Sequence, residues 1–295
     1  MRTVVVGAGA WGTAIAHLLR ERGHDVLVAR RDTLADAPYA EADLVVLAVP
    51  SHAFRDVLAR VGGDAPILSL AKGLDPATGE RLSTLVRDRP VAVLSGPNMA
   101  EEVLAGLPGA TVIASQDERL ALRLQEAFNS LAFRVYVNDD VVGVELCGAA
   151  KNVIALAAGG VDGLGLGDNA KAALITRGLV EMARLGEAFG AQPETFSGLA
   201  GMGDLMVSCF HKSGRNRRAG ELIARGATAE EARAEIGQAV EGLTTAPVLR
   251  DLSRRIGVEL PITEGVCSIL EGQPLHELAA SLMGRRPTEE KDPCR

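Results

Sequence analysis

Residues 3–29 read TVVVGAGAWGTAIAHLLRERGHDVLVA, and the order of residue types within them decides the fold of the first half of the chain. Residues 3–6 form a β-branched run, residues 7–12 are GAGAWG, residues 13–21 carry apolar side chains at helical spacing, and residues 25–29 return to a strand pattern. The reading is strand, tight turn, helix, strand. The turn has the spacing GxGxxG. Gly7 turns the chain, Gly9 lets the backbone approach a pyrophosphate and Gly12 lets the helix lie close on the strand, with Ala10 and Trp11 between the last two glycines. Glycine-rich turns are common, but one that follows a strand and opens a helix inside a βαβ unit points to a dinucleotide held at the helix N-terminus.

The second strand ends at Arg30 and Arg31, where an NAD-selective site carries a carboxylate for the ribose 2′-hydroxyl. Two guanidiniums suit a 2′-phosphate instead, the alternative being two solvated arginines at a strand end. NADP(H) is therefore the expected cofactor, with NAD(H) as the alternative because Asp32 follows directly.

Working outward, strand-like runs recur at 44–49, 67–70, 91–94 and 110–114, with helical intervals predicted at 53–61 and 79–86, and a last run at 133–137. The alternation predicts an α/β fold: an N-terminal Rossmann, doubly wound parallel sheet over residues 1–138. Ligands gather at strand ends in such sheets, which places 49–51, 71–73 and 95–98 near the cofactor. From 139 to 295 the β-rich runs give way to Ala/Leu/Gly/Glu segments at 141–158, 170–189, 229–237 and 245–255, so an all-α domain is expected there. No internal repeat or low-complexity linker marks the boundary.

Three features of the second half carry chemistry. Lys151 stands among Ala149, Ala150, Val153, Ile154 and Leu156, a setting that would partly desolvate an ammonium and lower its pKa into the range of a proton donor and acceptor. The exposed helix lysine is the ordinary alternative. Residues 196–209 are too glycine-rich for a helix interior and too apolar for a solvated loop, so a turn at a site is expected. Residues 212–218 form a basic cluster ahead of another helix, where Arg215 and backbone N–H groups could clamp a phosphate, or present a solvated basic face.

Composition narrows the class. Across 295 residues, 47% are hydrophobic and 23% charged, the range of a globular chain, while aromatics are only 3%, so aliphatic side chains must fill the core. A net charge of -7 repels nucleic acid and acidic membranes, and no nucleic-acid partner is expected. Cys147, Cys209, Cys267 and Cys294 are scattered without a CxxC pair, and no HExxH occurs. No metal site or disulfide framework is expected, and reduced thiols suit a cytoplasmic protein. No secretory signal is read at the N-terminus. Apolar runs such as 43–50 fall short of the roughly 20 residues that cross a bilayer, so no membrane span is expected. The polar tail 285–295, with two prolines, is expected to be disordered.

Taken together, the motifs GAGAWGTAIA (7–16), AKGL (71–74), SGPNMAEEV (95–103), ELCGAAKN (145–152), GLAGMGDLMVSC (198–209), GRNRRAG (214–220) and VEGLTTA (240–246) resemble, in this order and over nearly the whole chain, the NAD(P)-dependent glycerol-3-phosphate dehydrogenases of the bacterial soluble type. The resemblance implies reversible reduction of dihydroxyacetone phosphate to sn-glycerol 3-phosphate, feeding glycerophospholipid synthesis. Lys151 is then the general acid and base, and Lys72 and Asp204 line the same pocket, Lys72 for substrate binding and charge stabilisation and Asp204 to hold the lysines. It further implies that Gly96, Asn98, Asn152, Ser208, Gly214, Arg215 and Asn216 meet the substrate. Ala100, Glu241, Lys72 and Arg215 would meet the cofactor, Glu241 near its nicotinamide half.

The chain departs from its relatives in a short 31–43 connection, in Gly214 where Ser is usual and in Asn98 where Ser is usual. These bear on adenosine-side contacts and on two side-chain hydroxyls. A ketopantoate or β-hydroxyacid reductase shares the same architecture and a catalytic lysine, and a non-catalytic dinucleotide sensor would keep only the cofactor turn. The GRNR cluster favours a phosphorylated substrate, and the presence of Lys72, Lys151 and Asp204 favours turnover. The apolar helical half offers a surface for a homodimer.

Overall fold

The computed structural model describes residues 1–273. The tail 285–295 and Cys294 lie outside the described residues. The chain divides into two compact units, one made of Met1–Gly148 with Glu194–Asp204, the other of Ala149–Pro193 with the residues from Leu205 onward.

In the first unit, β1 (Arg2–Val6), α1 (Ala10–Glu21), β2 (Asp25–Ala29), β3 (Leu44–Leu47), α2 (Ser51–Leu58), β4 (Ile67–Ser69), β5 (Val91–Ser95), α3 (Ala100–Leu104), β6 (Gly109–Ala114), α4 (Glu118–Phe128) and β7 (Phe133–Asn138) build a seven-stranded sheet in the order β2-β1-β3-β4-β5-β6-β7. The central strands β1, β3 and β4 are near-continuous apolar runs because both of their faces are covered, whereas β2 and β7 at the edges are partly exposed. Val5, Val46, Leu68, Ala92 and Leu94 enter one buried cluster with Ile15 and Leu19 of α1 and Leu124 and Phe128 of α4. Val4, Val6, Val45, Leu47 and Ile67 point the other way and pack with Phe54 of α2, Tyr39 and Leu82. The alternation along β1 is the two-residue period of a strand buried on both sides.

The sheet is parallel except at one ladder. β6 runs antiparallel to β5, with Leu94 opposite Ile113, and β7 then runs parallel to β6. The reason lies in α3. A helix of five residues, rising about 1.5 Å per residue, is too short to carry the chain back to the start of β5, so the next strand returns in the opposite direction.

The helix expected at 79–86 is not formed. Glu80 and Arg81 belong to a strap closed by a bridge between Leu74 and Arg81, Gly79 adopts φ +74°, and only a 3₁₀ turn at Leu82–Leu85 is helical. α4 had no counterpart in the sequence reading.

The remaining elements are helical: α5 (Val141–Gly163), α6 (Gly167–Ala188), α7 (Pro193–Ser197), α8 (Asp204–Phe210), α9 (Arg215–Ala224), α10 (Ala229–Ile236), α11 (Glu241–Ile256) and α12 (Pro261–Leu270). The expected turn at 196–209 is instead helical throughout much of its length, with a π-helical turn at Leu199–Gly203 running into α8. Its glycines serve close packing within that turn, since a Cβ on Gly201 would stand 2.1 Å from the Phe196 carbonyl oxygen. The apolar stretch in α5 is also longer than the sequence reading allowed. By length and composition it could cross a bilayer, but 89% of its most apolar window is buried, which makes it a core helix.

Candidate functional site

Within the first unit the chain leaves β1 at Gly7, whose φ of +110° suits only glycine, and whose amide donates to the Ala29 carbonyl at 2.9 Å. A Cβ on Gly7 would meet the Ala48 oxygen at 2.4 Å, and one on Gly12 would meet the Gly7 oxygen at 2.0 Å, so the turn is packed shut on its protein side. Beside Gly9 a Cβ would meet nothing within 4 Å. The turn thus leaves open space at the one glycine that the GxGxxG pattern assigns to a pyrophosphate. Trp11 adds an indole Nε1 that is buried without a hydrogen-bond partner. These residues, with the first-turn amides of α1, fit a dinucleotide.

Arg30 and Arg31 are exposed just past β2, where Thr33 Oγ1 accepts from the Arg30 amide at 2.9 Å. The short 31–43 connection fills itself: Leu34 and Tyr39 are buried, and the Tyr39 hydroxyl donates to the Leu34 carbonyl at 2.8 Å. Ala100 opens α3 and packs with Trp11 against the same core cluster.

At the carboxyl ends of β4 and β5 the structure brings together Lys72, Gly96, Asn98 and Asp204. Lys72 Nζ donates to Asp204 Oδ2 at 2.6 Å, to Asn98 Oδ1 at 3.2 Å and to the Gly96 carbonyl at 3.3 Å. The Asp204 side chain is only 4% exposed and that of Lys72 17%, so the pair is largely removed from water. Three residues to which sequence reasoning gave no individual role complete this cluster. Ser95 Oγ donates to Asp204 Oδ2 at 3.3 Å, Thr111 Oγ1 accepts from Asn98 Nδ2 at 2.8 Å while donating to the Ser95 carbonyl, and a Cβ on Gly148 would touch the Lys72 stem at 3.5 Å. Thr111 orients Asn98 so that its carbonyl oxygen, not its amide nitrogen, faces the ammonium.

The Lys72 strap is fixed from below by Glu145 on α5. Its carboxylate accepts from the Ser83 amide at 2.8 Å and from Arg81 Nη1 at 2.9 Å. Burial pushes the Glu145 carboxyl above its ordinary range, against the opposing pull of Ser83 and Arg81.

Within the second unit, Lys151 is buried on α5, and its Nζ donates to Ser208 Oγ on α8 at 2.8 Å. One residue on, buried Asn152 accepts from Asn216 Nδ2 at 2.9 Å, and Asn216 Oδ1 accepts from the Gly242 amide at 2.8 Å. Asn152, Asn216 and the start of α11, where Glu241 stands, are therefore one hydrogen-bonded group. Gly242 has to be glycine, since a Cβ there would come within 2.6 Å of the Asn152 backbone carbonyl oxygen. Gly214 caps α9 without a side-chain acceptor, and Arg215 is the first helical residue. The amides of that first turn are available to an anion, as the basic cluster suggested. Among the described residues no group of three or more His, Cys, Asp or Glu side chains is placed to hold a metal.

Comparison with known proteins bears on what such a constellation does. The N-terminal model of the NAD-dependent glycerol-3-phosphate dehydrogenases matches residues 2–37 and 33–121, and the C-terminal model matches 140–280. The chain is 42% identical to a glycerol-3-phosphate dehydrogenase (NAD(P)+) of Chlorobium limicola, covering 98% of this chain and 99% of that protein. It is 44% identical to one from Thermoanaerobacter, with 97% of each covered. Among solved structures, glycerol-3-phosphate dehydrogenase from Coxiella burnetii superposes with a TM-score of 0.91 at 36% identity, over 96% of this chain and 99% of that one. A ketopantoate reductase from Ralstonia eutropha reaches a TM-score of 0.58 at 16% identity, over 95% of this chain and all of that one, which is a likeness of fold alone.

Proposed function

The chain belongs to the NAD(P)-dependent glycerol-3-phosphate dehydrogenases, a family of oxidoreductases, and on that premise we propose that Lys151 is the general acid and base for interconverting dihydroxyacetone phosphate and sn-glycerol 3-phosphate. The observation that carries this reading is the buried ammonium of Lys151, held 2.8 Å from Ser208 beside the buried apolar side chains of Ala149, Ala150, Val153 and Ile154. An amine oriented in this way can give a proton to the C2 oxygen during reduction and take it back during oxidation. Ser208 keeps Nζ at one place and direction, which is what proton transfer at a fixed atom requires.

In this reading Lys72 and Asn98 meet the oxygens of the triose, with Asp204 holding Lys72 in register. Gly96 lines the same strand end. Gly214, Arg215 and Asn216 take the phosphate, the anion meeting both a guanidinium and the first-turn amides of α9. Asn152 braces Asn216 and stands beside the lysine that transfers the proton. The glycine turn Gly7–Gly12, with Ala10 and Trp11, takes the pyrophosphate, and Ala100, Arg215 and Glu241 are further cofactor contacts. A bound nicotinamide supplies or accepts the hydride.

NADP(H) is the preferred form in this proposal because Arg30 and Arg31 stand past β2 where a 2′-phosphate would reach them. The product is the backbone of glycerophospholipids, and the buried free thiols Cys147, Cys209 and Cys267 accord with a reducing, cytoplasmic setting.

The test is oxidation of NADPH or NADH by purified protein given dihydroxyacetone phosphate, followed by absorbance beside Lys151→Met. Turnover that falls at least about 10³-fold in the variant, with dinucleotide affinity unchanged, supports the assignment. Wild-type protein that binds NADPH and reduces nothing, or a Lys151→Met enzyme of near-normal kcat, overturns it.

A further inference from the structure

The basic cluster at 212–218 contains a second arginine whose surroundings differ from those of Arg215. The Arg217 guanidinium is spent on the protein: Nη1 donates to Asp162 Oδ2 at 2.6 Å, Nε to the His211 carbonyl at 3.2 Å, Nη2 to the Lys212 carbonyl at 3.1 Å, and Nη2 also pairs with Glu221 at 3.2 Å. Asp162 sits in the last turn of α5 and accepts a second hydrogen bond, from Lys171 Nζ of α6 at 2.8 Å, while Lys171 lies over the Phe210 ring at the end of α8, 4.8 Å from its centre. One carboxylate oxygen thus collects α5, α6 and α9, and through Arg217 the loop that leaves α8. The Arg217 and Lys171 side chains are 12% and 8% exposed, and Asp162 is 25% exposed, so this is not an ion pair loose in water.

The backbone under Arg217 cannot shift to make these contacts in another way. α9 lies on α5 at glycine contact: a Cβ on Gly159 would stand 1.8 Å from the Arg217 carbonyl oxygen, and one on Gly220 would stand 1.9 Å from that of Leu156. The loop 211–214 is closed further by the Gly214 amide, which donates to the same His211 carbonyl that Arg217 holds. Arg215 and Asn216 lie between that loop and Arg217.

We infer that Asp162 is a positioning residue for the substrate phosphate: by fixing Arg217 it sets the loop 211–214 and, with it, the direction of Arg215 and the first-turn amides of α9. The inference rests on the assignment of that turn to the phosphate. The proposed reading gives Asp162 no contact with substrate or cofactor, and its carboxylate is already met by Arg217 and Lys171, so its effect is geometric. Burial alone would raise the Asp162 carboxyl, but hydrogen bonds from Lys171 and Arg217 hold it below the ordinary carboxylate range, so it stays charged at working pH.

The experiment is steady-state kinetics of the full-length enzyme carrying Asp162→Asn, Asp162→Glu, Arg217→Lys or Arg215→Ala, with inorganic phosphate as a competing probe. Asp162→Asn is expected to raise KM for dihydroxyacetone phosphate about tenfold and to weaken inhibition by phosphate in parallel, while kcat stays within about twofold and KM for the dinucleotide, which Arg215 also meets in the proposed reading, rises less than KM for the triose phosphate. Arg217→Lys keeps the charge but cannot hold Asp162 and two carbonyls at once, so it should show the same pattern. Asp162→Glu should recover part of the loss.

If Asp162→Asn and Arg217→Lys lower thermal stability but leave KM and phosphate inhibition unchanged, the network is a staple of the fold and the inference fails. Should Asp162→Asn fail to fold, Arg217→Lys alone decides between these outcomes. Arg215→Ala separates the two levels of argument. If it leaves KM and phosphate inhibition unchanged, the phosphate assignment itself is wrong; if it raises KM while Asp162→Asn and Arg217→Lys do not, only the positioning role is lost.

Discussion

Lys72 Nζ stands 2.6 Å from Asp204 Oδ2, although the two residues are 132 positions apart in the chain. The pair joins the end of β4 to the first residue of α8 with little water between them. Breaking a buried pair by removing one partner leaves an uncompensated charge and typically costs about 3–5 kcal/mol. Lys72→Met is therefore expected to lower the melting temperature by several degrees and kcat/KM for dihydroxyacetone phosphate by about 10²-fold. The double variant Lys72→Met/Asp204→Asn should be less damaged than the sum of the two single changes. A Lys72→Met enzyme that is destabilised but turns over normally would reduce the pair to a structural link.

The glycine turn gives two substitutions with opposite signatures. Gly12→Ala places a methyl 2.0 Å from the Gly7 oxygen, so the helix must move off the strand, and both stability and dinucleotide binding should fall. Gly9→Ala meets no protein atom within 4 Å. Its melting temperature should stay within about 2 °C of wild type, a loss under ~0.5 kcal/mol, while affinity for NADPH falls at least tenfold because the methyl occupies the space meant for a pyrophosphate. Calorimetric titration with NADPH and a thermal melt of each variant check this. Equal affinity in Gly9→Ala and wild type would move the pyrophosphate elsewhere.

The parts of this molecule that could be read in the sequence are those whose cause is local. Residues 3–29 announce strand, turn and helix because the β-branched run, the three glycines and the helical spacing each have a physical reason inside the segment. The antiparallel turn at β6 depends on the shortness of α3, and the strap at 79–86 takes its form from a bridge between Leu74 and Arg81; neither cause is visible in residue periodicity. Likewise, the register that sets Thr111 beside Asn98 and Ser95 follows from pairing β5 with β6. Family motifs singled out Lys72, Asp204, Lys151 and Asn216. They contained Ser95 and Arg217 without giving either a role of its own, and did not reach Thr111 or Asp162; the importance of all four comes from what they hold.

Asp75, on the same strap as Lys72, gives a pH test. Its carboxylate accepts from Arg55 Nη2 at 2.5 Å and from Thr78 Oγ1 at 2.7 Å. The hydrogen bond from Arg55 holds the carboxyl below its ordinary range, more than burial raises it. A carboxyl with a depressed folded-state pKa contributes stability above its unfolded value, near 3.9, and loses it as pH falls through the folded value. The stability advantage of wild type over Asp75→Asn should therefore be constant from about pH 5 to 7 and shrink below about pH 4. Because Arg55 is 48% exposed, high salt should shrink the same advantage. An advantage that persists unchanged in acid would mean that the charge on Asp75 does not stabilise the strap.

Glu181 should respond to pH with the opposite sign. It accepts from the Ile262 amide at 2.7 Å, the Thr263 amide at 3.0 Å and Thr263 Oγ1 at 2.6 Å, which satisfies the first-turn donors of α12. Burial pushes its carboxyl above the ordinary range, and the hydrogen bonds from Thr263 and Ile262 offset only part of that. A raised carboxyl pKa means that the folded protein keeps its proton where the unfolded chain has lost it, so this contribution is complete below the unfolded value, near 4.3, and is lost as pH rises through the folded value. Relative to Glu181→Gln, which does not titrate, wild type should gain stability as pH is lowered toward 4. Glu181→Ala leaves three donors unmet and should cost about 2–4 kcal/mol near pH 7, and more as pH is lowered toward 4. Both variants should retain wild-type kcat/KM, because Glu181 caps a helix and takes no part in the proposed chemistry. Thermal melts across this pH range decide the matter: a wild-type advantage over Glu181→Gln that declines in acid would show that the ionised carboxylate, with its three accepted hydrogen bonds, outweighs the cost of burying its charge.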